Sequence, residues 1–435
     1  MFVHRIVLSV MYVLLGFSIG AQNLSIEKNK NKFRLKFEQA SGFVILPVSV
    51  NGSQPLNFLL DTGSPYTIIT HLDAFKYLQL KKGEPINIWG LGRDREKLEA
   101  YLSKNNTLGF GKAHIDSADV ILLYENENLG SRFGMQVYGI IGYDLFKDLV
   151  VRIDYVRENI TFYQHSFFYK KFNTSAYTDI DMQISGKKPY LQLNAVINEN
   201  TVPLRLLIDS AGSDPLWLFE NEDIYPDEPY IEDYLGFGLN GEILGKRSRI
   251  QSLNIGNDKL EQPTVSFPDS LSVSYVTRTE RSGSLGAEIL RRYTTIYDYR
   301  NSKLFLKKNR HLGEKFYYNL AGLELNQPFP ELPYLEVFYV RENSPAYKAG
   351  LRKGDVVRYV NNKKIGLYHY KPHNDEQTAA KIEKINFGYS ERELISLVEI
   401  IEMFRKKPGS QIEIVYTRGD SQVERVAEFV LESSF

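Results

Sequence analysis

Short runs of large apolar residues, separated by turn-forming residues, dominate the chain from Phe43 onward. Phe43-Val44-Ile45-Leu46 and Phe58-Leu59-Leu60 flank Asn51-Gly52, and Tyr190-Leu191-Gln192-Leu193 and Leu206-Leu207-Ile208 flank Asn198-Glu199-Asn200. Apolar runs on either side of such turns predict strand–turn–strand units. Leu335 to Val340 reads as a further strand. Within 391–409 the spacing changes: Leu394, Leu397, Ile400, Ile401 and Phe404 recur at helical intervals before Pro408-Gly409. The N-terminus follows neither pattern. Residues 1–21 have a short basic start (His4, Arg5), an apolar run from Ile6 to about Ile19, and small residues Ser18, Gly20 and Ala21 before Gln22-Asn23. That is the tripartite form of a secretory signal, and its run is short for a span of ~20 residues. Export is the expectation, to periplasm, cell envelope or medium, with no stable membrane span after cleavage.

The strand units repeat. Pro55 to Ser64 (PLNFLLDTGS) and Pro203 to Ser213 (PLRLLIDSAGS) align, which makes Asp61 and Asp209 equivalent at an offset of 148 (209 − 61). Farther on, Gly139, Gly142, Asp154 and Tyr155 match Gly283, Gly286, Asp298 and Tyr299 at an offset of 144 (283 − 139). Between these anchors each half carries a glycine-bearing turn, Gly90-Leu91-Gly92 in one and Gly236-Phe237-Gly238 in the other. A matched series in the same order over more than 100 residues implies two copies of one β-rich lobe.

An aspartate at the end of a run such as Phe58-Leu59-Leu60 needs explanation, because an unpaired buried carboxylate is costly. Thr62-Gly63 supplies a turn whose backbone N–H groups can hold it. Two lobes bring two such aspartates to a pseudo-twofold axis. Carboxyls sharing one site cannot both ionise easily, so one can take a proton from water while the other donates to a carbonyl.

Asp61-Thr62-Gly63-Ser64, the apolar Thr67-Ile68-Ile69 after it and the distal Gly139-Ile140-Ile141-Gly142 resemble the aspartic proteases of the retropepsin-like and pepsin-like group, here with both lobes in one chain. The resemblance implies a catalytic pair, Asp61 and Asp209, in loops formed by Thr62, Gly63, Ser64, Ser210, Ala211 and Gly212. Thr62, Ser64 and Ser210 are expected to hydrogen-bond within the paired loops. It implies flap tips at Gly90, Gly92, Gly236 and Gly238, peptide or protein substrates, and activity as a monomer. It also implies that Ile140-Ile141-Gly142 and Ser284-Leu285-Gly286 cross behind the catalytic loops. The second motif, Asp209-Ser210-Ala211-Gly212, departs from the family pattern: Ala211 stands where glycine is usual, and Gly212 could shift the turn by one residue. That departure is the basis of an alternative, a degenerate protease-like protein that binds peptides without cutting them.

Residues 313–435 hold no third copy. Ser344-Pro345-Ala346, Ala349-Gly350-Leu351 and Gly354-Asp355-Val356-Val357 resemble a PDZ domain of the bacterial type. Ser and Pro suit the cap and first position of a short helix. The resemblance implies a groove for a peptide C-terminus at Gly322-Leu323-Glu324-Leu325, beside the helix within 391–409. Residues 367–390 read as an insertion. The expected organisation is therefore mostly β: signal 1–21, an N-terminal segment 22–37, barrel lobes 38–170 and 171–312, and an α+β PDZ domain 313–435.

Composition narrows the chemistry. The 435 residues include 53 Lys+Arg, 53 Asp+Glu and no cysteine, which excludes thiol catalysis, disulfides and Cys-ligated metals. Balanced charge without a long basic run gives no footprint for nucleic acid. No cofactor and no metal site are expected; the seven histidines are scattered. Ser185-Gly186-Lys187-Lys188 matches S-x-x-K but lies in a turn before a strand without companion motifs, and reads as chance.

Overall fold

A computed structural model describes residues 23–71, 74–88, 90–94, 98–124, 129–273, 281–329, 332–371, 381–385, 390 and 393–435. The expected signal, Trp89, and residues 372–380 and 386–389 of the expected insertion lie outside the described residues.

The apolar runs fold as strands, and six of them close a β-barrel. Phe43–Val50 pairs antiparallel with Leu56–Leu60, which runs parallel to Gly139–Ile141. Gly139–Ile141 pairs antiparallel with Thr67–Ile69, and that strand runs parallel to Ala113–Leu123. The long hairpin Leu98–Phe110/Ala113–Leu123 returns to Phe43–Val50 and completes the circuit. Leu56–Leu60 is buried along its whole length, as a strand flanked on both sides must be.

A second succession of pairings follows the same order. Lys188–Ile197 pairs antiparallel with Asn200–Asp209, which runs parallel to Gly283–Gly286. Gly283–Gly286 pairs antiparallel with Leu216–Leu218, and that strand runs parallel to Thr264–Pro268. Thr264–Pro268 pairs with Gly241–Arg249, and Ser252–Ile255 returns to Lys188–Ile197. Between the two runs lies a shared sheet: Lys32–Lys36, Asn159–Tyr163, Val150–Asp154, Tyr293–Asp298, Lys303–Lys308 and Thr178–Ser185, all antiparallel. Its middle seam joins Val151 to Tyr297, and Phe146 packs on Tyr297 and Tyr299 with ring centroids 5.2 and 5.1 Å apart. The N-terminal segment enters the fold directly: Phe33 and Leu35 of Lys32–Lys36 are buried, and Leu24–Ile26 pairs with Ala113–Leu123.

The C-terminal residues build a separate seven-stranded sheet over their own core, in which Leu335, Val337, Val357 and Ile414 meet Leu397, Ile400 and Phe404. Two helices flank it. Pro345–Lys348 starts on Ser344, whose Oγ accepts from Tyr347 N. Leu397–Phe404 starts on a capping box: Ser396 Oγ accepts from Glu399 N while the Glu399 carboxylate accepts from Ser396 N. Leu367–Lys371 and Lys381–Ile385 pair as an antiparallel ribbon at the expected insertion.

Candidate active site

Each aspartate ends a fully paired strand and enters a turn held by backbone N–H groups. Gly63 N donates to Asp61 Oδ1 at 2.7 Å, and Ala211 N donates to Asp209 Oδ1 at 3.1 Å. Ser64 N donates to Asp61 O at 3.1 Å, and Gly212 N donates to Asp209 O at 3.3 Å. The two loops therefore correspond residue for residue, and Gly212 does not shift the turn. Ala211 preserves the hydrogen bond that Gly63 makes, and its methyl packs against the apolar cluster that contains Leu59, Ile68 and Ile140.

Reciprocal hydrogen bonds lock the loops together. Thr62 Oγ1 donates to Ile208 O at 2.7 Å and accepts from Ser210 N at 3.0 Å. Ser210 Oγ donates to Leu60 O at 2.7 Å and accepts from Thr62 N at 3.0 Å. Both residues are sealed from solvent. Ser64 takes no part in this exchange; its Oγ donates to Tyr66 O in its own loop. The result sets the two carboxyls side by side: an atom placed at the Cβ position of Gly63 would lie 3.1 Å from Asp61 Oδ1 and 3.6 Å from Asp209 Cγ.

Behind the loops, Tyr143 N donates to Ser64 O and Ala287 N donates to Gly212 O. The glycines ahead of these donors are required by close approach. A Cβ on Gly142 would lie 2.2 Å from Ser64 O, and one on Gly286 would lie 2.0 Å from Asp214 O.

Two hairpin tips meet one another. Gly90 N donates to Asn240 Oδ1, Asn240 N to Leu91 O, Asp94 N to Asn240 O and Arg93 N to Glu242 O. Gly92 N donates to Ser272 O, and Arg93 pairs with Asp269. Gly238 lies against Leu91, while Gly236 marks a register shift in its hairpin and faces Trp217. Leu239 packs into the same apolar cluster as Ala211, Leu59 and Ile140.

The surroundings set the charge of the pair. Burial first, and the Asp209 charge second, push Asp61 up to about 7 against the Gly63 N–H and Lys188. Burial also raises Asp209, but Arg281, the Ala211 N–H and Lys188 oppose it. Both carboxyls are therefore biased toward holding a proton, Asp61 up to about 7. Apart from the S-x-x-K match read as chance at Lys188, nothing in the sequence marks Lys188 or Arg281. One follows a turn and the other precedes a strand far along the chain, and only the folded chain brings them to the carboxyls. Among the described residues no cluster of three or more His, Asp or Glu could hold a metal ion.

Gly322, Leu323, Glu324 and Leu325 lead into the outer strand of the C-terminal sheet, Leu323–Asn326, paired on one side with Leu335–Val340. Leu323 and Leu325 are buried, and Gly322 N donates to Asn319 Oδ1. Burial raises the Glu324 carboxyl, as does the nearby Asp233. Beside this strand and helix Leu397–Phe404 lies the chain's own helix Leu129–Phe133, with Gln327 N donating to Ser131 O at 2.8 Å.

Residues 46–145 match the aspartyl protease family model. The aspartyl protease match takes in Asp61-Thr62-Gly63-Ser64 and Gly139 to Gly142, and ends before Asp209. Among solved structures, basic 7S globulin from soybean is similar at 9% identity and a TM-score of 0.39, covering 66% of this chain and 95% of that one. No curated protein matches.

Proposed function

We propose that the chain is an exported aspartic endopeptidase with two pepsin-like lobes, in which Asp61 and Asp209 form one catalytic pair and a C-terminal PDZ domain binds peptide or protein C-termini. The observation that carries the reading is the reciprocal bonding of Thr62 and Ser210, which makes one site from two loops. In the proposed mechanism the pair works with one proton. Asp61 carries it, since its pKa is pushed up to about 7 by burial and by Asp209, and Asp209, with Arg281 and Lys188 at hand, is the carboxylate. Asp209 takes a proton from water, whose oxygen attacks the peptide carbonyl carbon. The Asp61 proton passes to the carbonyl oxygen. As the tetrahedral diol collapses, the C–N bond breaks, the proton held by Asp209 goes to the leaving amine, and one hydroxyl proton of the diol returns to Asp61, which restores the pair.

The paired hairpin tips supply a cover over the substrate, and the apolar cluster of Leu59, Ile68 and Ile140 supplies a wall for it. The unshifted turn at Ala211 supports catalysis over the binding-only alternative, because Asp209 keeps the N–H donor it needs. The PDZ reading rests on the outer strand Leu323–Asn326 and helix Leu397–Phe404, between which a peptide can add as a strand once the chain's own helix Leu129–Phe133 gives way.

The test is cleavage of a diverse peptide pool between about pH 4 and 8, with Asp61→Asn, Asp209→Asn and a pepstatin-type inhibitor in parallel. Loss of at least about 10³-fold in either variant is expected, with activity falling as pH rises through about 7 and the shared proton leaves. Cleavage that survives either substitution assigns the reaction to other residues.

A further inference from the structure

We infer that Lys188 and Arg281 form a carboxylate-recognising site beside the aspartate pair, which selects substrates carrying a carboxylate next to the scissile bond. The inference rests on the peptidase reading and names the substrate class of that same site.

The placement comes from the strands. Lys188 opens the strand Lys188–Ile197, and the register Tyr190↔Leu207 continues to set Lys188 opposite Asp209. Arg281 stands two residues before Gly283–Gly286, the strand that runs parallel to the one ending in Asp209. Both side chains are partly buried. Neither makes a hydrogen bond or ion pair among the described residues, and Arg281 Nε is buried without a partner. The Arg281 guanidinium rests over the Phe219 ring at 5.3 Å, a contact that leaves the N–H edge of its plane free. The neighbouring cations are already engaged. Lys187 Nζ lies 4.6 Å from the Tyr66 ring, and Arg205 bonds Gln183 and stacks on Tyr190.

Charge balance says what is missing. Burial lowers the Lys188 pKa, and Arg281 lowers it further. The carboxylates that offset the two cations are Asp61 and Asp209. With one proton on the pair, these four groups sum to one surplus positive charge in a partly desolvated site. An unbalanced charge there is costly, and a substrate carboxylate removes the imbalance. A guanidinium and an ammonium beside the same pair of carboxyls suit a carboxylate, which can accept from both at once. The carboxylate can belong to an Asp or Glu side chain or to a free peptide C-terminus, and the chemistry at the site is the same.

The test uses the purified chain and peptides of one neutral core. One set carries Glu at each position flanking the scissile bond, with an amidated C-terminus. A second carries Gln in its place. A third has neutral side chains and ends in a free carboxylate or its amide one or two residues past the bond. For one carboxylate position, kcat/KM is expected to exceed that of its amide counterpart by about 10- to 100-fold, the size of a charge-assisted hydrogen bond. Whether Glu or the free terminus gives the larger ratio identifies the source. Lys188→Gln and Arg281→Gln should each bring that ratio down toward one. The ratio is the proper readout because either cation also acts on the aspartates, an effect common to both peptides. Equal kcat/KM for carboxylate and amide forms at every position overturns the inference while leaving the peptidase reading intact. If the chain cuts nothing, the peptidase reading fails, and fluorescence anisotropy of the same peptides on Asp61→Asn decides the site. Tighter binding of the carboxylate forms, lost on adding Arg281→Gln, supports it; equal binding overturns it.

Discussion

Thr62 and Ser210 have no contact with water, and each answers an N–H and a carbonyl of the opposite loop. Thr62→Val keeps the shape but leaves Ser210 N and Ile208 O buried without partners. Each stranded group costs about 1–3 kcal/mol, so a loss of about 2–5 kcal/mol is expected in urea denaturation, with Thr62→Ser recovering most of it. Asp61 makes the opposite contribution. Its proton stays bound up to about 7 in the folded chain, against about 3.9 in an unfolded one. The folded state therefore holds more protons between those values, and stability falls as pH rises from about 4 to 7. Asp61→Asn removes this dependence. It should melt above wild type at pH 8, by on the order of 1–3 kcal/mol, with the difference closing at pH 4; a difference independent of pH assigns Asp61 an ordinary pKa. The pair and its loops were legible in the sequence because a repeated motif marks them at a fixed offset. Ala211 raised a doubt that only the loop geometry answers, since a side chain's direction is not written in its identity. Lys188 and Arg281 were illegible for a different reason: no spacing rule links a turn residue to one 93 positions later (281 − 188).

At the level of elements, the two hairpin tips interlock through backbone groups, so side chains at the contact are set by space. A Cβ on Gly238 would lie 2.0 Å from Leu91 O, a backbone atom that cannot swing aside. Gly238→Ala should part the tips and release Asn240 N from Leu91 O. Hydrogen exchange over 90–94 and 238–242 should rise by at least about tenfold while overall stability changes by no more than about 1–3 kcal/mol. Unchanged protection there would mean that the tips are held from elsewhere. The strands were readable where apolar runs are long and turns are marked by Asn and Gly. Lys32–Lys36 shows the limit. Its alternation of Lys32, Phe33, Arg34, Leu35 and Lys36 is that of a half-buried strand, but its neighbour Asn159–Tyr163 lies more than 120 residues away, and local pattern cannot name a distant partner.

Across the whole molecule, a buried chain of charges ties the C-terminal sheet to the second aspartate loop. Asp214, five residues past Asp209, meets Arg247 at 2.8 Å; Arg247 meets Asp233 at 3.0 Å; Asp233 meets Arg341 at 3.1 Å. Burial pushes the Asp214 carboxyl up, but Arg247 and Ser266 outweigh it and hold it below the usual range. Arg341→Leu leaves a negative charge without its counterpart and should cost about 3–5 kcal/mol in thermal unfolding, partly recovered by adding Asp233→Leu. Equal stability of Arg341→Leu and wild type would mean that this chain of charges does not help hold the two units together. None of this chain was foreseen, because its members come from four separate elements and each alone reads as a surface charge.

The cross-bonded loops also fix a moment in the life of the chain. Thr62 finds its acceptor at Ile208 and its donor at Ser210, and the second loop in turn leans on Ala287. A growing polypeptide that has not yet delivered residues 208–210 owns one aspartate and none of the groups that Thr62 meets, and until residue 287 follows, the second loop lacks the donor behind it. A fragment cut between the two loops is in the same position. The paired arrangement is thus complete only when nearly two thirds of the sequence has emerged, with the second loop and then the donor behind it arriving in turn.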